Sequence, residues 1–296
     1  MAKVVQIPTI NDEPADFKRL FSIWNQANDY FEDVRFDLSR CHFLRPNAVA
    51  FLGGLARLIS SRLGTAVFDW DSLRDSAIMM NLRQNGFAGM FCHPSSAWTG
   101  HSIPYREDRV QDVNAIMDYL THSWLGRGWV QVSPRLRDAI VGRMWEIYNN
   151  AFEHSGSEIG VFSCGQHFHK QNELCLSVVD FGQGIPAKVR NYLSSDSRAG
   201  QLAAAGCLRW AFQRGNSTDQ AGVARGLGLD LLKEFVRLNQ GKLEVYSNEG
   251  YVVIDKNGER FENRSASFEG TIFYITLRCD EALYRFADEP DDEPPF

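Results

Sequence analysis

The sequence predicts an α+β protein with two parts, a small α/β unit followed by a larger sandwich of helices on a mixed, mostly antiparallel sheet. Two observations predict this class. The first third of the chain alternates short strands with helices, the pattern of a sheet that has helices packed on it. The rest carries a long amphipathic helix and a closing series of strands, in which Asn257-Gly258 marks a hairpin turn.

Composition and charge narrow the class of protein. Of the 296 residues 44% are hydrophobic and 23% charged, which excludes a mostly disordered or fibrous chain. Lys and Arg number 31 against 37 Asp and Glu, for a net charge of -6. Residues 281–296 are rich in acid and proline, and we expect a disordered tail there. The remaining chain is close to neutral, so no nucleic-acid-binding surface is indicated. No stretch is long and apolar enough for a signal peptide or membrane span, and we expect a cytoplasmic protein without membrane contacts.

The first unit is assigned to residues 1–105. Apolar residues at helical spacing, and strands bounded by turn residues, define its elements. In chain order they are the strand Val34–Leu38, the helix Asn47–Leu63, the strand Ala66–Trp70 and the helix Ile78–Asn85. Gly64 and Gly86 follow the two helices at the position where glycine usually ends a helix. Gly100–Arg109 is interpreted as a linker to the second unit, residues 106–280.

The second unit begins with a helix over about Val110–Leu125 and a longer helix from Ser133-Pro134 to about His154. Serine at the N-cap followed by proline in the first turn favours a helix start at that point. Within the longer helix Glu146 and Asn150 are four residues apart, so they lie on one face. Taken alone, this polar stripe would be interpreted as a solvated helix face.

Two glycine motifs follow. The strand Glu173–Val179 ends in the motif D-x-G-x-G, formed by Asp180, Gly182 and Gly184. Glycines at this spacing let the backbone approach a ligand closely, and the acid follows the end of a central strand.

The second motif, G-x-x-R-G-L-G, leads into the helix Leu229–Asn239 and contains Arg225, Gly226, Leu227 and Gly228. Glycine backbone before a helix N-terminus is a favourable site for an anion, since free N–H groups and the positive end of the helix dipole face it. The strands Lys242–Ser247, Tyr251–Asp255 and Gly270–Leu277 complete the unit, and Thr271 lies near the start of the last one.

Each of these motifs is weak alone, but their order is specific. E-x-x-x-N-A on a helix, D-x-G-x-G after a strand, G-x-x-R-G-L-G before a helix and G-T in a last strand follow one another between Pro134 and Leu277. This order resembles the GHKL ATPase superfamily, which has the Bergerat fold. The string EIYNNAFEHS is most similar to the anti-sigma factor serine kinases within it.

The resemblance implies ATP and Mg²⁺ as cofactors and gives each motif a role. Asp180 would accept a hydrogen bond from the adenine amino group, and Thr271 would support the same edge of the base. Asn150 would ligate Mg²⁺, and Glu146 would be the catalytic base. The other implied cofactor-binding residues are Gly182, Gly184, Arg225, Gly226, Leu227 and Gly228, and Ala187–Ala221 would form a mobile lid over the nucleotide.

The first unit, over Val34–Met90, resembles a STAS domain in its order of strands and helices. In STAS domains that accept a phosphate, a hydroxyl residue precedes the first helix. Arg45, Pro46 and Asn47 occupy that place here, so these three positions carry no acceptor hydroxyl, although Ser39 lies a few residues upstream. An unrelated α/β unit that covers the ATPase domain is the alternative interpretation.

Two classes of function fit the sequence. The first is an enzyme that hydrolyses Mg²⁺-ATP or transfers its γ-phosphate to a Ser or Thr of a partner protein. The second is an ATP-gated interaction or dimerisation module with little or no turnover. Either would act on a protein partner, for which a STAS-domain or sigma-factor-like protein is the candidate, and a homodimer is compatible with both.

Overall fold

The structure is a computed structural model that describes residues 2–91, 97–98, 100–213, 216 and 229–290. The chain begins with a three-stranded parallel sheet in the order β1-β2-β3. The elements of this first unit are β1 (Lys3–Gln6), α1 (Pro14–Ala27), β2 (Val34–Asp37), α2 (Pro46–Ser61), β3 (Ala66–Asp69), α3 (Ser76–Gln84) and α4 (Phe87–Met90).

Helix α2 is apolar on nearly every side, and all but three of its residues are buried. It contacts β3 of the small sheet and also strands of the larger sheet described below. Gly53 and Gly54 permit this close approach. A Cβ at Gly53 would lie 2.1 Å from the Tyr105 hydroxyl oxygen, and one at Gly54 would lie 2.3 Å from the Phe181 ring.

The second unit is built on a seven-stranded sheet whose every pairing is antiparallel. Its strands are β4 (Ser102–Asp108), β5 (Val161–Phe168), β6 (Glu173–Asp180), β7 (Lys242–Ser247), β8 (Gly250–Asp255), β9 (Gly258–Asn263) and β10 (Thr271–Arg278), in the spatial order β4-β5-β6-β10-β7-β8-β9. Its helices are α5 (Val113–Asp118), α6 (Pro134–His154), α7 (Gly184–Tyr192), α8 (Ala204–Ala211) and α9 (Asp230–Leu238), with a π-helical segment at Tyr119–Leu125.

Side chains alternate between the two faces of this sheet, so a single strand contributes residues to the hydrophobic core on each face. Leu176 and Val178 of β6 pack with α6 and α9, whereas Cys175 and Val179 pack with α1 and α2. The first unit therefore covers the face of the sheet opposite α6 and α9. The predicted α+β class, with helices on a large antiparallel sheet, is confirmed.

Strand register brings three separate sequence motifs together. The end of β6 lies beside the start of β10, where Asp180 pairs with Thr271. On the other side of β10, Thr271 pairs with Ser247 at the end of β7. Because Asp180 and Thr271 share the parity of Val178 and Phe273, they face the α6 side of the sheet.

Several elements differ from the sequence predictions. The segment Gly100–Arg109 is not a linker, since most of it forms the edge strand β4. The helix expected over Val110–Leu125 begins at Val113 and changes to π-helix at Tyr119. Elements in the described part of the chain that were not predicted include β1, α1, α4, β5 and β9.

The segment Ala187–Ala221 was expected to be a mobile lid that buries little. Over its described residues it instead contains most of α7 and all of α8, and their Val189, Cys207 and Leu208 are buried. The tail was expected to be disordered from residue 281. Residues 281–290 instead contact α6, with Glu289 accepting a hydrogen bond from the Ser133 hydroxyl at 2.9 Å.

No helix among the described residues is long and apolar enough to cross a membrane.

Candidate functional site

A pocket opens on the α6 side of the sheet, between α6, α7 and α8. Strand residues Val178 and Phe273 and helix residues Ile147 and Val189 give it apolar walls. The polar side chains that line it are Asn149, Asn150, Glu153, His154, Ser155, Asp180, Lys188, Asn216 and Thr271. Apolar walls with a few polar groups are typical of a site for a small ligand.

Asp180 lies at the inner end of this pocket, and only 6% of its surface is exposed. Burial raises the pKa of its carboxyl from 3.8 to about 7, because desolvation disfavours the charged form. Hydrogen bonds from the Gly182 N–H, at 3.1 Å from Oδ1, and from Thr271 oppose this shift. A buried carboxyl with few donors around it is an acceptor that a ligand's N–H group can satisfy.

Thr271 is held beside Asp180 by a serine that the sequence analysis did not identify. The Ser247 hydroxyl is fully buried and lies 3.0 Å from the Thr271 hydroxyl. It also donates to the Gly270 carbonyl, at 3.1 Å, and accepts the backbone N–H of Ile185, at 2.8 Å. Ser247 therefore links the last strand to the first turn of α7. In the sequence, only its position at the end of the predicted strand Lys242–Ser247 could have marked it as a site residue.

Asn150, the expected Mg²⁺ ligand, lines the pocket from α6. The helix begins where expected, because the Ser133 hydroxyl accepts the N–H of Leu136 at 3.1 Å. Glu146 lies one turn before Asn150 but is not among the residues that line the pocket. Its carboxylate is bound by the Arg143 guanidinium on the same helix, at 2.5 Å.

The two glycines of the first motif have different functions. Gly184 lines the pocket and has a φ of +78°, and a Cβ there would lie 2.3 Å from the Asn248 side chain. Gly182 does not line the pocket, but a Cβ on it would lie 2.2 Å from the Ser155 carbonyl oxygen. Both positions therefore require glycine, one for its backbone angle and one for its close packing against α6.

The outer part of the pocket holds side chains that the sequence analysis left out of the site. Lys188 of α7 and His154 at the end of α6 bring positive or titratable groups there. Trp210 of α8 adds an aromatic wall, with its ring 5.6 Å from that of Tyr192. Lys188 and Trp210 belong to no motif, and they reach the pocket because α7 and α8 pack together beside it. His154 belongs to the string EIYNNAFEHS and lines the pocket from α6. The second glycine motif, with Arg225, Gly226, Leu227 and Gly228, lies outside the described residues.

The pocket has few groups suited to a metal ion. Within the described ranges, no group of three or more His, Cys, Asp or Glu side chains is arranged to hold one. Asn150 and Glu153 offer oxygen atoms on the α6 wall. That set suits Mg²⁺, which binds with one or two protein oxygens and takes its other ligands from water and phosphate, and does not suit a metal that needs a full protein cage.

Comparison with known proteins identifies this part of the chain. Residues 137–281 match the family model of the histidine kinase-, DNA gyrase B- and HSP90-like ATPases. This segment is a GHKL-type ATPase domain. Its match spans α6 through β10 and so contains the whole pocket. A search of curated proteins finds no match to the chain. Membership of this family implies that the domain binds ATP.

Proposed function

We propose that the protein binds Mg²⁺-ATP and either hydrolyses it or transfers its γ-phosphate to a Ser or Thr of a partner protein, as an anti-sigma-kinase-like regulator. The observation that carries the proposal is the buried Asp180–Thr271 pair at the inner end of a pocket whose α6 wall presents Asn150. The GHKL match supports ATP as the nucleotide.

The inner end of the pocket would select adenine. The adenine amino group is a donor at the place where guanine carries a carbonyl acceptor. The Asp180 carboxylate accepts the former and repels the latter. Thr271 adds a hydroxyl at the same edge, held in place by Ser247 at 3.0 Å. Apolar side chains such as Val178 and Ile147 would contact the faces of the base.

The phosphates would lie toward the outer part of the pocket. Asn150 would ligate Mg²⁺ through its side-chain oxygen, and Lys188 would offer a positive charge to the phosphates. Bound Mg²⁺ neutralises phosphate charge and favours displacement at the γ-phosphorus. The Gly226–Gly228 backbone would supply N–H donors from the second glycine motif.

Glu146 would serve as the base that orients a water or hydroxyl nucleophile and accepts its proton. It lies one helical turn from Asn150 on α6, with 34% of its side chain exposed. To act, it must leave Arg143, which forms its ion pair in this structure. A half-exposed pair of this kind is weak, so its separation costs at most about 1 kcal/mol.

The same ion pair favours the second candidate, an ATP-gated interaction or dimerisation module with slow turnover. With its carboxylate bound by Arg143 and outside the pocket lining, Glu146 is not poised for proton abstraction. Nucleotide binding would then change the arrangement of α7 and α8, and a protein partner would respond to that change.

We further propose that the first unit is STAS-like and serves as structure, not as a phosphate acceptor. The three residues at the acceptor position are largely buried. The Arg45 side chain is 13% exposed and bound to Asp12 and Glu173, and Asn47 is fully buried. A kinase therefore has little access to these three positions, none of which carries a hydroxyl.

One experiment separates the candidates. The purified full chain is incubated with γ-labelled ATP and Mg²⁺, alone and with candidate STAS-domain proteins, and both released phosphate and protein-bound label are measured. Label on a partner's Ser or Thr supports a kinase, and steady release of phosphate supports an ATPase. Tight ATP binding with neither result supports the interaction module, whereas failure to bind ATP contradicts the whole proposal.

A further inference from the structure

The small parallel sheet of the first unit has one face that no helix of the described residues covers. Its buried face carries Val5, Phe36 and Phe68 in one row. The next row, Val4, Arg35 and Val67, lies on the opposite face and is exposed. All-parallel sheets occur almost only where helices cover both faces. Among the described residues, helices cover one face of this sheet, and none covers the other face. We call this surface the open face (Val4, Gln6, Arg35, Asp37, Val67 and Asp69).

The centre of the open face is apolar. Val4 and Val67 are 63% and 51% exposed, although β-branched side chains on strands are usually packed against a neighbour. Arg35 lies between them in register, and its guanidinium is bound to Asp69 with an N–O distance of 2.7 Å. The aliphatic part of Arg35 therefore continues the apolar row from one edge strand to the other.

Exposed apolar side chains also lie at the end of the sheet where β2 and β3 begin. Tyr30, Phe31 and Leu63 are 66%, 75% and 71% exposed, in the loops that precede β2 and β3. Phe31 and Leu63 have φ angles of +59° and +65°, a region that bulky side chains rarely adopt. The Phe31 N–H donates to the Arg62 carbonyl at 2.9 Å and joins the two loops. The positive φ of Leu63 is the usual left-handed residue after the C-terminus of α2, whereas Phe31 is an exposed aromatic residue in a backbone region that side chains rarely adopt.

The charges around the open face are mostly negative. Asp33, Asp37 and Asp71 lie along it or at its border, whereas Arg35 is already paired with Asp69 and Lys3 with Glu32. A hydrogen bond from the Ser39 N–H holds the pKa of Asp37 below its usual value, so this carboxylate stays ionised. A second copy of the chain would bring the same acids and be repelled, whereas a basic partner is attracted.

We propose that the open face binds an amphipathic helix of a partner protein. The apolar stripe of that helix packs on Val4, Val67 and the Arg35 stem, and Lys or Arg residues beside the stripe pair with Asp33, Asp37 and Asp71. A helix is the expected occupant because helices are what cover parallel sheets. The surface lies on the first unit, outside the nucleotide pocket, so this inference does not depend on the proposed function.

The test uses the full chain and a synthetic helical peptide of about 18 residues, with a Leu stripe bordered by Lys. A matched peptide carries Glu in place of each Lys. Fluorescence anisotropy of labelled peptide gives the affinity, and hydrogen exchange of the protein gives the footprint. The expected result is binding of the Lys peptide, binding of the Glu peptide at least about tenfold weaker, and protection of β1, β2 and β3.

Four variants locate the contact. Val4→Asp and Val67→Asp place a charge in the apolar row, and each is expected to lower the affinity for the Lys peptide about tenfold or more. Asp71→Lys reverses one charge at the border and is expected to lower the affinity for the Lys peptide severalfold, with a smaller effect at high salt. Val110→Asp is the matched control, since Val110 is a 73% exposed valine of the second unit, and it leaves the affinity unchanged. Unchanged melting temperatures show that all four proteins fold.

Three outcomes overturn the proposal. One is no binding of the Lys peptide to the native chain. Another is binding that Val4→Asp and Val67→Asp leave unaltered, or a footprint outside the first unit. The third is concentration-dependent self-association of the chain that the same two substitutions abolish, which would assign the open face to a second copy.

Discussion

At the scale of single residues, Asp180 is the most informative side chain. Its burial raises its pKa to about 7, so at neutral pH it exchanges between acceptor and donor forms before a ligand arrives. An amino group that donates to it favours the carboxylate, so in the proposed function a bound adenine would stabilise the charged form that burial disfavours. The buried Ser247 and Thr271 hydroxyls fix the geometry around it.

Asp180→Asn is expected to weaken ATP binding by about 1–3 kcal/mol, because the substitution keeps the shape but removes a charged acceptor. Calorimetric titration measures the effect. Asp138→Asn, an exposed acid near the start of the same α6 wall, is the control and leaves the affinity unaltered. Equal affinity of the native protein for GTP and ATP would show that Asp180 does not select the base.

The same carboxyl predicts a pH dependence of stability. Its pKa is 3.8 when unfolded and about 7 in the native state, so between these values the native state holds more protons than the unfolded state. The contribution of Asp180 is therefore most favourable below about pH 4 and is lost as pH rises through 7. Asparagine does not ionise, so Asp180→Asn does not lose stability in this way. The free energy of unfolding of the variant minus that of the native protein should therefore be larger at pH 8 than at pH 5, as measured by urea denaturation. An equal difference at both pH values would contradict the raised pKa.

At the scale of secondary-structure elements, α6 presents two polar side chains, Glu146 and Asn150, one helical turn apart. Ser133 fixes the start of the helix, and the 3.6-residue period then places Glu146 and Asn150 one turn apart. Asn150 lies in the pocket wall, whereas Glu146 lies outside it and is bound by Arg143. In the proposed function the helix would therefore carry a group that holds the nucleotide, Asn150, and one turn away a group that acts on the nucleophile, Glu146.

Two substitutions on α6 should have separable effects. Glu146→Gln is expected to bind Mg²⁺-ATP nearly normally and to lose turnover by ~10²–10⁴-fold, because a base is removed while the binding groups remain. Asn150→Ala is expected to lose Mg²⁺-dependent ATP binding. Binding by titration and phosphate release by single-turnover assay distinguish them. Turnover at the native rate in Glu146→Gln would leave the enzyme without its base and favour the interaction module.

At the scale of the whole molecule, the two units share one hydrophobic core. Phe17 of α1 stacks on Tyr246 of β7 at 4.1 Å, and α2 packs directly on β5 and β6. Arg45 adds a polar connection, since it binds Asp12 of the first unit and Glu173 of the large sheet at 3.2 and 3.1 Å. The first unit thus covers one face of the seven-stranded sheet, and its own small sheet contains the open face.

Arg45→Ala is expected to destabilise the protein by about 3 kcal/mol, since it leaves Asp12 and Glu173 without their shared cation in a largely buried setting. Urea denaturation followed by fluorescence and by loss of ATP binding should show one shifted transition for both probes. Arg40→Ala, an exposed neighbour in the same loop, is the control and changes little. An unaltered midpoint for ATP binding would show that the units unfold independently.

Local signals in the sequence were sufficient to predict the α+β class, the GHKL motifs and most of the elements that carry them. Ser133-Pro134 set the start of α6, and the alternation of β6 and the glycines after it identified the Asp180 turn. These features depend on backbone preference and short-range spacing, which a single segment contains.

The contacts between those segments depend on the folded chain. Register, which no single strand encodes, placed Ser247 beside Thr271, and helix packing across the pocket brought Lys188 and Trp210 to its outer part. The expected linker became the edge strand β4 because its partner, β5, is about 60 residues away in sequence. Likewise, the loop around Arg45 is buried and the face around Val4 is open because of how the first unit packs on the large sheet. These features depend on contacts between residues far apart in the sequence, and neither composition nor the periodicity of a single segment predicts such contacts.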